Sequence, residues 1–286
     1  MTPIAIVTDS SAGLSAELIQ RHDVQVLPYY ILGGGRMLKD GVQISRDEVF
    51  RILRDGRHLP NTQAPTREDF AALYRSLLGK AEAALVITPP RERTTTYQHA
   101  ESARSAAPGL HIALLDSRHM SLGQSLVVLA AARAREAGGD LATVIAAARR
   151  AVDRMEMWMV LESLKFAARS GRVPNLAQYI GSIVNPVPVL RHENGAPYIA
   201  FTARNVDQAV DRLKDELAAR LSLAGGASSR PLHAAIAHAG AAAQAESLRA
   251  WARATWSLIE LHALEVPPII AVYAGPGAIG LAAYAE

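Results

Sequence analysis

Two short stretches of the sequence carry hydroxyl side chains that could bind an anion. Thr62 lies in residues 61–66, Asn-Thr-Gln-Ala-Pro-Thr, just before a helical pattern. Thr94, Thr95 and Thr96 follow an apolar run and open a second helical pattern. Ligands of parallel sheets bind beyond the carboxyl ends of the strands, and helix N-termini attract anions. Threonine hydroxyls placed there can donate hydrogen bonds to a carboxylate or a phosphate.

Each of these stretches also has a structural interpretation. Thr66 can cap the helix that follows it, which would make the preceding segment an ordinary turn. Arg172, in Ser-Gly-Arg at residues 170–172, can donate two parallel hydrogen bonds to an oxyanion, or it can hold two domains together. The three glycines at residues 33–35 can form an anion-binding nest, although a flexible turn is the favoured interpretation. Single motifs leave these alternatives open.

The familiar catalytic and cofactor motifs are missing or incomplete. A P-loop, a G-x-S-x-G elbow and an H-E-x-x-H motif do not occur. Residues 275–280 match G-x-G-x-x-G. We expect no dinucleotide site there, because such a site needs a crossover unit after the glycines. The histidines are scattered, so we expect no metal. Asp9 and Asp116 could serve an enzyme, but both follow apolar runs and are expected to cap the next turns.

Composition excludes several classes of protein. The chain has 286 residues, a formal net charge of +3 and no cysteine, which excludes thiol catalysis and disulfides. Hydrophobic residues make up 50% and charged residues 20%, as in globular proteins. The sequence lacks a basic stripe with interleaved aromatic residues, so it gives no indication of nucleic-acid binding. The first residues do not resemble a signal peptide, and the charge-free residues 266–285 contain repeated Pro and Gly. We therefore expect a cytoplasmic protein without stable membrane insertion.

The first half of the chain predicts a parallel sheet. Apolar runs alternate with helical patterns, and such alternation is typical of crossover units. We expect residues 1–155 to form an N-terminal, mostly parallel αβα sandwich. The predicted strands are residues 4–8, 24–31, 84–88 and 112–115, and the main predicted helices are residues 67–77, 96–106, 122–136 and 141–155.

The second half of the chain has a different order of predicted strands and helices. Glu193-Asn194-Gly195 lies between two apolar runs, which predicts a β-hairpin. We expect residues 156–286 to form a C-terminal αβ domain with a hairpin-bearing sheet, and the ligand to bind between the two domains. The further predicted elements are helices at 206–223 and 243–256 and strands at 232–237, 257–261 and 269–273.

Taken in order, segments from Ile4 to Gly280 resemble the DegV family. That resemblance implies a two-domain αβ protein that binds one long-chain fatty acid, and in many bacteria such proteins present the carboxylate to a fatty-acid kinase. The segments that carry it are Asp9-Ser10-Ser11, residues 62–65, Thr94-Thr95-Thr96-Tyr97-Gln98, Asp116-Ser117, Ser170-Gly171-Arg172, Pro188-Val189-Leu190, Asn194-Gly195, Arg204 and Gly275-Pro276-Gly277-Ala278.

The resemblance also implies site residues. The family's binding threonine corresponds to Thr62, its Ser-Gly pair to Thr94 and Thr95, and its basic Gly-Arg to a pair ending in Arg172. The family histidine two residues before Gly-Pro-Gly is Tyr273 here. A phenol donates a hydrogen bond but carries no positive charge near neutral pH. The resemblance therefore implies that the four hydroxyl residues hold the carboxylate, and that Arg172 contacts a partner or a phosphoryl group.

These expectations define a binding protein with no cofactor and no catalytic residue. Its ligand would be a palmitate-like fatty acid with the acyl chain in an apolar tunnel, and its partner a fatty-acid kinase subunit. Burying about 14 methylenes at roughly 0.8 kcal/mol each contributes about 11 kcal/mol before association costs. The alternative is an enzyme that acts on a small acyl or phosphorylated substrate in the same cleft.

Overall fold

The computed structural model describes residues 3–56, 59–170, 186–223 and 230–286. The described strands are β1 (Ile4–Asp9), β2 (Val24–Leu27), β3 (Tyr30–Gly33), β4 (Arg36–Lys39), β5 (Asn61–Gln63), β6 (Ala83–Thr88), β7 (His111–Asp116), β8 (Glu156–Val160), β9 (Val187–Glu193), β10 (Ala196–Ala203), β11 (Leu232–His238), β12 (Leu258–Glu265) and β13 (Ile279–Ala285). The described α-helices are α1 (Ala16–Arg21), α2 (Arg46–Asp55), α3 (Arg67–Leu77), α4 (Thr96–Ser102), α5 (Leu122–Glu136), α6 (Leu141–Arg154), α7 (Lys165–Ser170), α8 (Val206–Leu223), α9 (Ala242–Thr255) and α10 (Pro268–Ala274).

The first sheet is parallel, with strand order β2-β1-β6-β7. Its side chains alternate between two hydrophobic clusters, as the pleat of a strand requires. Ile6 and Leu85 pack in the cluster that contains α5 and α6. Val7 and Val86 pack on the other face, in the cluster that contains Phe70 of α3 and Ala100 of α4. The predicted αβα sandwich around a parallel sheet is confirmed.

The second sheet is mixed, with strand order β10-β9-β8-β13-β11-β12. Only β11 and β12 are parallel among its neighbours. The predicted hairpin is confirmed: β9 and β10 are joined through Asn194 and Gly195, whose φ angles are 49° and 80°. Two consecutive positive φ values define the turn that matches the twist of paired strands, and Asn-Gly is its preferred sequence. One face of this sheet packs on α8 and α9.

The helix α5 lies between the first and second sheets. It packs on β1 and β6 of the first sheet and on β8, β11 and β13 of the second. Every residue from Leu122 to Ala132 is buried. A helix that is buried on all sides does not need a polar face, which explains the run of apolar residues from Leu126 to Ala132.

A third, small antiparallel sheet has strand order β4-β3-β5. It brings Thr62 in β5 opposite Ile31 in β3. The predicted single strand at residues 24–31 is wrong, because the chain leaves the first sheet at Pro28 and enters the third at Tyr30. Proline has no N–H to donate to a strand ladder, so it ends the pairing of β2 there.

The predicted strand at residues 269–273 is also wrong. These residues belong to the helix α10, which begins at Pro268 directly after the N-cap Pro267. Proline is favoured in the first turn of a helix, and a short apolar run does not distinguish a buried strand from a buried helix by periodicity. The strand lies further on, where β13 pairs with β8 and β11 in the middle of the second sheet.

Candidate ligand-binding site

An apolar cavity lies beside α10, α7, β8 and the β9–β10 hairpin. Most of its lining is aliphatic or thioether, with three methionines on β8 and on the loop before α5. The lining residues are Pro90, Arg93, Met120, Ser121, Met157, Met159, Leu161, Ala167, Leu190, His192, Gly195, Pro197, Ile270, Tyr273 and Ala274.

The cavity is narrow, with an interior volume of about 90 Å³. One water needs roughly 10–15 Å³ by this measure, so the space corresponds to about six to nine waters. A long acyl chain is larger than that and requires side chains to move apart. Met120, Met157 and Met159 are suited to this, because methionine is unbranched and fills irregular space in several rotamers.

Tyr273 links this cavity to Thr62, which is not itself among the lining residues. Tyr273 lines the cavity from α10, and its hydroxyl forms a hydrogen bond with the hydroxyl of Thr62 in β5. Both side chains are half-buried. The start of α10 is also held in place, because the backbone N–H of Ile269 donates to Asp40 Oδ1 at 3.2 Å. The third sheet and α10 therefore bring together two hydroxyls that are far apart in the sequence.

Thr94 and Thr95 lie at the start of α4 and differ in environment. Thr94 is half-buried, and its Oγ1 accepts from the backbone N–H of Thr96 at 3.2 Å and donates to Thr96 Oγ1 at 3.0 Å. Thr96 Oγ1 in turn lies 2.7 Å from the Tyr29 hydroxyl. Thr95 is exposed at the N-cap position and makes no side-chain capping bond. Neither Thr94 nor Thr95 is among the lining residues of the cavity.

Of the remaining predicted residues, Asp9 and Asp116 have capping roles, whereas Arg172 is not described by the structure. Arg172 lies outside the described residues, and so does the Gly-Arg pair to which it belongs. Asp9 caps the turn after β1, with its Oδ1 accepting from the Ser11 backbone N–H at 2.9 Å. Asp116 accepts from the backbone N–H of Arg118 at 2.7 Å. Both carboxylates that could have served an enzyme therefore bind backbone groups.

Arg93 and His192 are cavity residues that the sequence did not indicate. His192 packs against His119, with ring centroids 5.4 Å apart. Burial, together with the positive charge of Arg93, lowers the pKa of His192 to about 4. Burial likewise lowers the pKa of His119 to about 3. A lone histidine on a strand and an arginine in a loop have no pattern that would identify them, because the fold alone brings them together.

Two further properties concern metals and membranes. Among the described residues, no group of three His, Cys, Asp or Glu side chains is arranged to hold a metal ion. None of the helices in the described part of the chain combines the length and the apolarity that crossing a bilayer requires.

Sequence comparisons identify similar proteins over the full length of the chain. The model of the DegV family, described as "Uncharacterised protein, DegV family", matches residues 3–286. A DegV domain-containing protein of Caldanaerobacter subterraneus is 31% identical over 73% of this chain and 75% of its own length. A DegV domain-containing protein of Streptomyces coelicolor is 29% identical over 97% of each chain.

Solved structures show the same fold. A DegV family protein from Thermus thermophilus, described by its fatty acid binding, superimposes with a TM-score of 0.88 at 28% identity, covering 100% of both chains. DegV of Bacillus subtilis, described as a fatty acid binding protein, has a TM-score of 0.88 at 21% identity, again covering 100% of both. A stearic-acid-binding protein from Eubacterium ventriosum has a TM-score of 0.87 at 21% identity, covering 99% of this chain and 98% of its own. At 21% identity, the last two establish a shared fold.

Proposed function

Because this chain belongs to the DegV family, we propose that it binds a long-chain fatty acid in the apolar cavity, with the carboxylate at the Tyr273 end. The observation that carries this proposal is an almost entirely apolar cavity whose lining residue Tyr273 bonds, through its hydroxyl, the hydroxyl of Thr62. The fatty acid binding described for the Thermus thermophilus relative supports it. The protein then acts as a carrier and needs no catalytic residue or cofactor.

The chemistry of the two parts of the site matches the two parts of a fatty acid. Burial of an acyl chain supplies most of the affinity, at roughly 0.8 kcal/mol per methylene. Hydroxyl donors at the head contribute about 1 kcal/mol each and mainly set the orientation. Tyr273 and Thr62 each have one O–H, and a carboxylate entering their end can accept from both once their mutual bond is exchanged.

Thr94 and Thr95 complete this head-group site in the proposal. They lie between the end of β6 and the start of α4. This position supports the proposal, because anions bind at such positions in parallel αβ units. Among the described residues, the hydroxyl of Thr94 binds only within its own turn, so it can rotate towards a ligand without breaking a long-range contact to any of them. Thr95 is exposed and would contact the part of the carboxylate nearest to solvent.

The family resemblance extends the proposal to a partner. A carrier that exposes the carboxylate of a bound fatty acid can present it to a fatty-acid kinase, and Arg172 would then contact the kinase or the phosphoryl group. The tyrosine hydroxyl at position 273 is a neutral donor, so the positive charge that stabilises a developing acyl phosphate must come from Arg172 or from the kinase.

Removal of single hydroxyls tests the head-group site. Thr62→Val and Thr94→Val keep the shape of the side chain and delete the donor. We expect each to raise the Kd for palmitate by about fivefold to a hundredfold, because an unpaired buried oxyanion costs about 1–3 kcal/mol. Calorimetric titration with palmitate measures the effect.

A matched variant separates binding from folding. Thr255→Val alters an exposed threonine at the end of α9, far along the chain from the cavity residues, and should leave the Kd unchanged. Thermal unfolding of all three variants checks that they are folded, since Thr94 also bonds the start of α4. Unchanged palmitate affinity in both Thr62→Val and Thr94→Val would show that these residues do not hold the carboxylate.

A further inference from the structure

A second cavity lies at the opposite end of α5 from the apolar cavity. Met120 and Ser121, which line the apolar cavity, come just before α5, whereas Arg133 in the last turn of α5 lines the second cavity. An α-helix rises 1.5 Å per residue, so Leu122 and Arg133 are roughly 17 Å apart along its axis. The second cavity has an interior volume of about 330 Å³. It is therefore larger than the apolar cavity and separate from it.

Two arginines of α6 line this second cavity. Arg150 and Arg154 are four residues apart, so they lie on one face of the helix, where like charges repel each other. Among the described residues neither takes part in an ion pair, and the one hydrogen bond of either guanidinium is long, 3.4 Å from Arg154 Nη1 to the Ala285 carbonyl. Glu286 also lines the cavity but can balance only one of the two charges. A bound anion would relieve the repulsion, because both guanidinium groups can donate to it.

Hydrogen bonds organise the inner wall of the second cavity. The guanidinium of Arg133 pairs with Glu260 and donates to the Tyr284 hydroxyl at 2.6 Å. His233 Nδ1 lies 2.8 Å from Glu260 Oε1, and the His233 ring stacks on Tyr284 with centroids 4.8 Å apart. His233 lines the cavity, and its Nε2 has no hydrogen-bond partner in the described part of the chain. Because Glu260 accepts from Nδ1, Nε2 is left to bind a polar group of a ligand.

The remaining lining of the second cavity is mostly small and apolar. Four alanines of the α5–α6 pair and its loop border the space, and Ile259 of β12, whose side chain is 45% exposed, lies on another side. Alanine side chains leave room for a flat group to lie against the helices, and an exposed isoleucine offers apolar surface that a ligand can bury. The second cavity therefore combines a place for an anion with a place for an apolar ring. The four alanines are Ala130, Ala134, Ala137 and Ala147.

We propose that the second cavity binds a phosphomonoester that carries a flat ring, the chemical class to which nucleoside monophosphates belong. The phosphate accepts from Arg150 and Arg154, since planar guanidinium groups match the geometry of phosphate oxygens. A phosphomonoester carries close to two negative charges at neutral pH, so it balances two arginines where a single carboxylate would leave one unpaired. The ring of the ligand packs against the alanines and Ile259. This proposal does not depend on fatty acid binding in the apolar cavity.

A nucleotide and its two fragments test the proposal. The Kd of the wild-type protein is measured by calorimetry at low ionic strength for AMP, adenosine and inorganic phosphate. We expect AMP to bind at least about tenfold more tightly than either fragment, because each fragment contacts only one part of the cavity. Added KCl should weaken AMP binding, since salt screens the attraction between phosphate and arginine. AMP that binds no more tightly than adenosine or than inorganic phosphate would overturn the proposal.

Single arginine variants locate the site. Arg150→Gln and Arg154→Gln should each raise the Kd for AMP about tenfold, as expected for a lost hydrogen bond between charged groups. Arg149→Gln is the matched control, because Arg149 is an exposed arginine of the same helix that does not line the cavity, and it should change the Kd less than about twofold. Glu286→Gln removes the opposing charge and should tighten AMP binding. Equal weakening by all three arginine variants would show attraction to the general charge of α6 and overturn the proposal.

Titration of the same variants with palmitate distinguishes this proposal from the proposed function. The Kd for palmitate should stay unchanged in Arg150→Gln and Arg154→Gln, because α5 separates the two cavities. A parallel loss of palmitate and AMP affinity in these variants would show one shared site and overturn the proposal of a second one. Failure of the wild-type protein to bind palmitate would contradict the proposed function alone, and failure to bind AMP would contradict the second site alone.

Discussion

At the residue scale, Tyr273 lines the cavity, and its hydroxyl bonds the predicted binding residue Thr62. Tyr273→Phe keeps the ring that lines the cavity and removes the group that bonds Thr62. We expect the Kd for palmitate to rise by roughly fivefold, because a neutral hydrogen bond contributes about 1 kcal/mol. Titration beside Tyr198→Phe, whose hydroxyl bonds Arg191 on the hairpin, gives the control. An unchanged Kd would show that the tyrosine hydroxyl takes no part in binding.

Asp9 is a second residue whose environment has a measurable consequence. Burial raises the pKa of its carboxyl to about 7, although hydrogen bonds from Ser11 and Gln124 oppose the change. This pKa lies above the ordinary value of 3.8. Between about pH 4 and pH 7 the folded protein therefore retains a proton that the unfolded chain has already released. The resulting stabilisation is complete below pH 4 and is lost as the pH rises through 7.

The substitution Asp9→Asn removes this titration. We expect the free energy of unfolding of Asp9→Asn, taken relative to that of the wild type, to rise as the pH goes from 5 to 7.5. Urea unfolding at several pH values measures it, and Asp116→Asn is the matched control because Asp116 ends β7 as Asp9 ends β1. A constant difference between Asp9→Asn and the wild type over this range would contradict the prediction.

At the scale of elements, α10 depends on the glycine that ends it. Gly275 has φ +75° and ψ 174°, a region that other residues rarely adopt, and a Cβ there would collide with the ring of Phe166. We expect Gly275→Ala to lower the free energy of unfolding by more than the roughly 1–3 kcal/mol of backbone strain alone, and to weaken palmitate binding because α10 carries Tyr273. Gly34→Ala, at φ +59° with open space around it, should cost only about 1–2 kcal/mol. Equal losses would show that Phe166 yields without cost.

At the scale of the whole molecule, α5 couples the first and second sheets. Leu126 is fully buried in this helix. We expect Leu126→Ala to lower the free energy of unfolding by about 2–5 kcal/mol, as for other buried leucines. Amide exchange in β6 and β11 should quicken together, because both sheets pack on α5. Leu78→Ala, at an exposed leucine, should change neither, and faster exchange in one sheet alone would contradict this coupling.

The sequence predicted regular elements well wherever local signals agreed. The helix after Thr66 begins and ends where its cap and periodicity indicated, and the same holds for α5 and α8. Asn194-Gly195 identified the hairpin because its turn needs positive φ at both residues. Errors arose at residues 24–31 and 269–273, where apolar runs contain or follow prolines. In both segments, the elements that pair with or pack against the apolar run determine whether it forms a strand, ends a strand or forms a helix.

The binding site, too, has features that the sequence indicated and features that only the tertiary structure established. Thr62 and Thr94 could be proposed from the sequence because hydroxyl type, a following helix start and family resemblance all lie within a few residues of each other. Their arrangement could not: Thr62 meets a tyrosine 211 residues later, through a helix that local pattern assigned to a strand. Arg93 and His192 have no local signal either, because a cavity exists only where distant elements fail to fill the space between them. Composition, periodicity and turn chemistry thus determined the fold class and candidate donors of this protein, whereas long-range packing alone decided which side chains share one cavity.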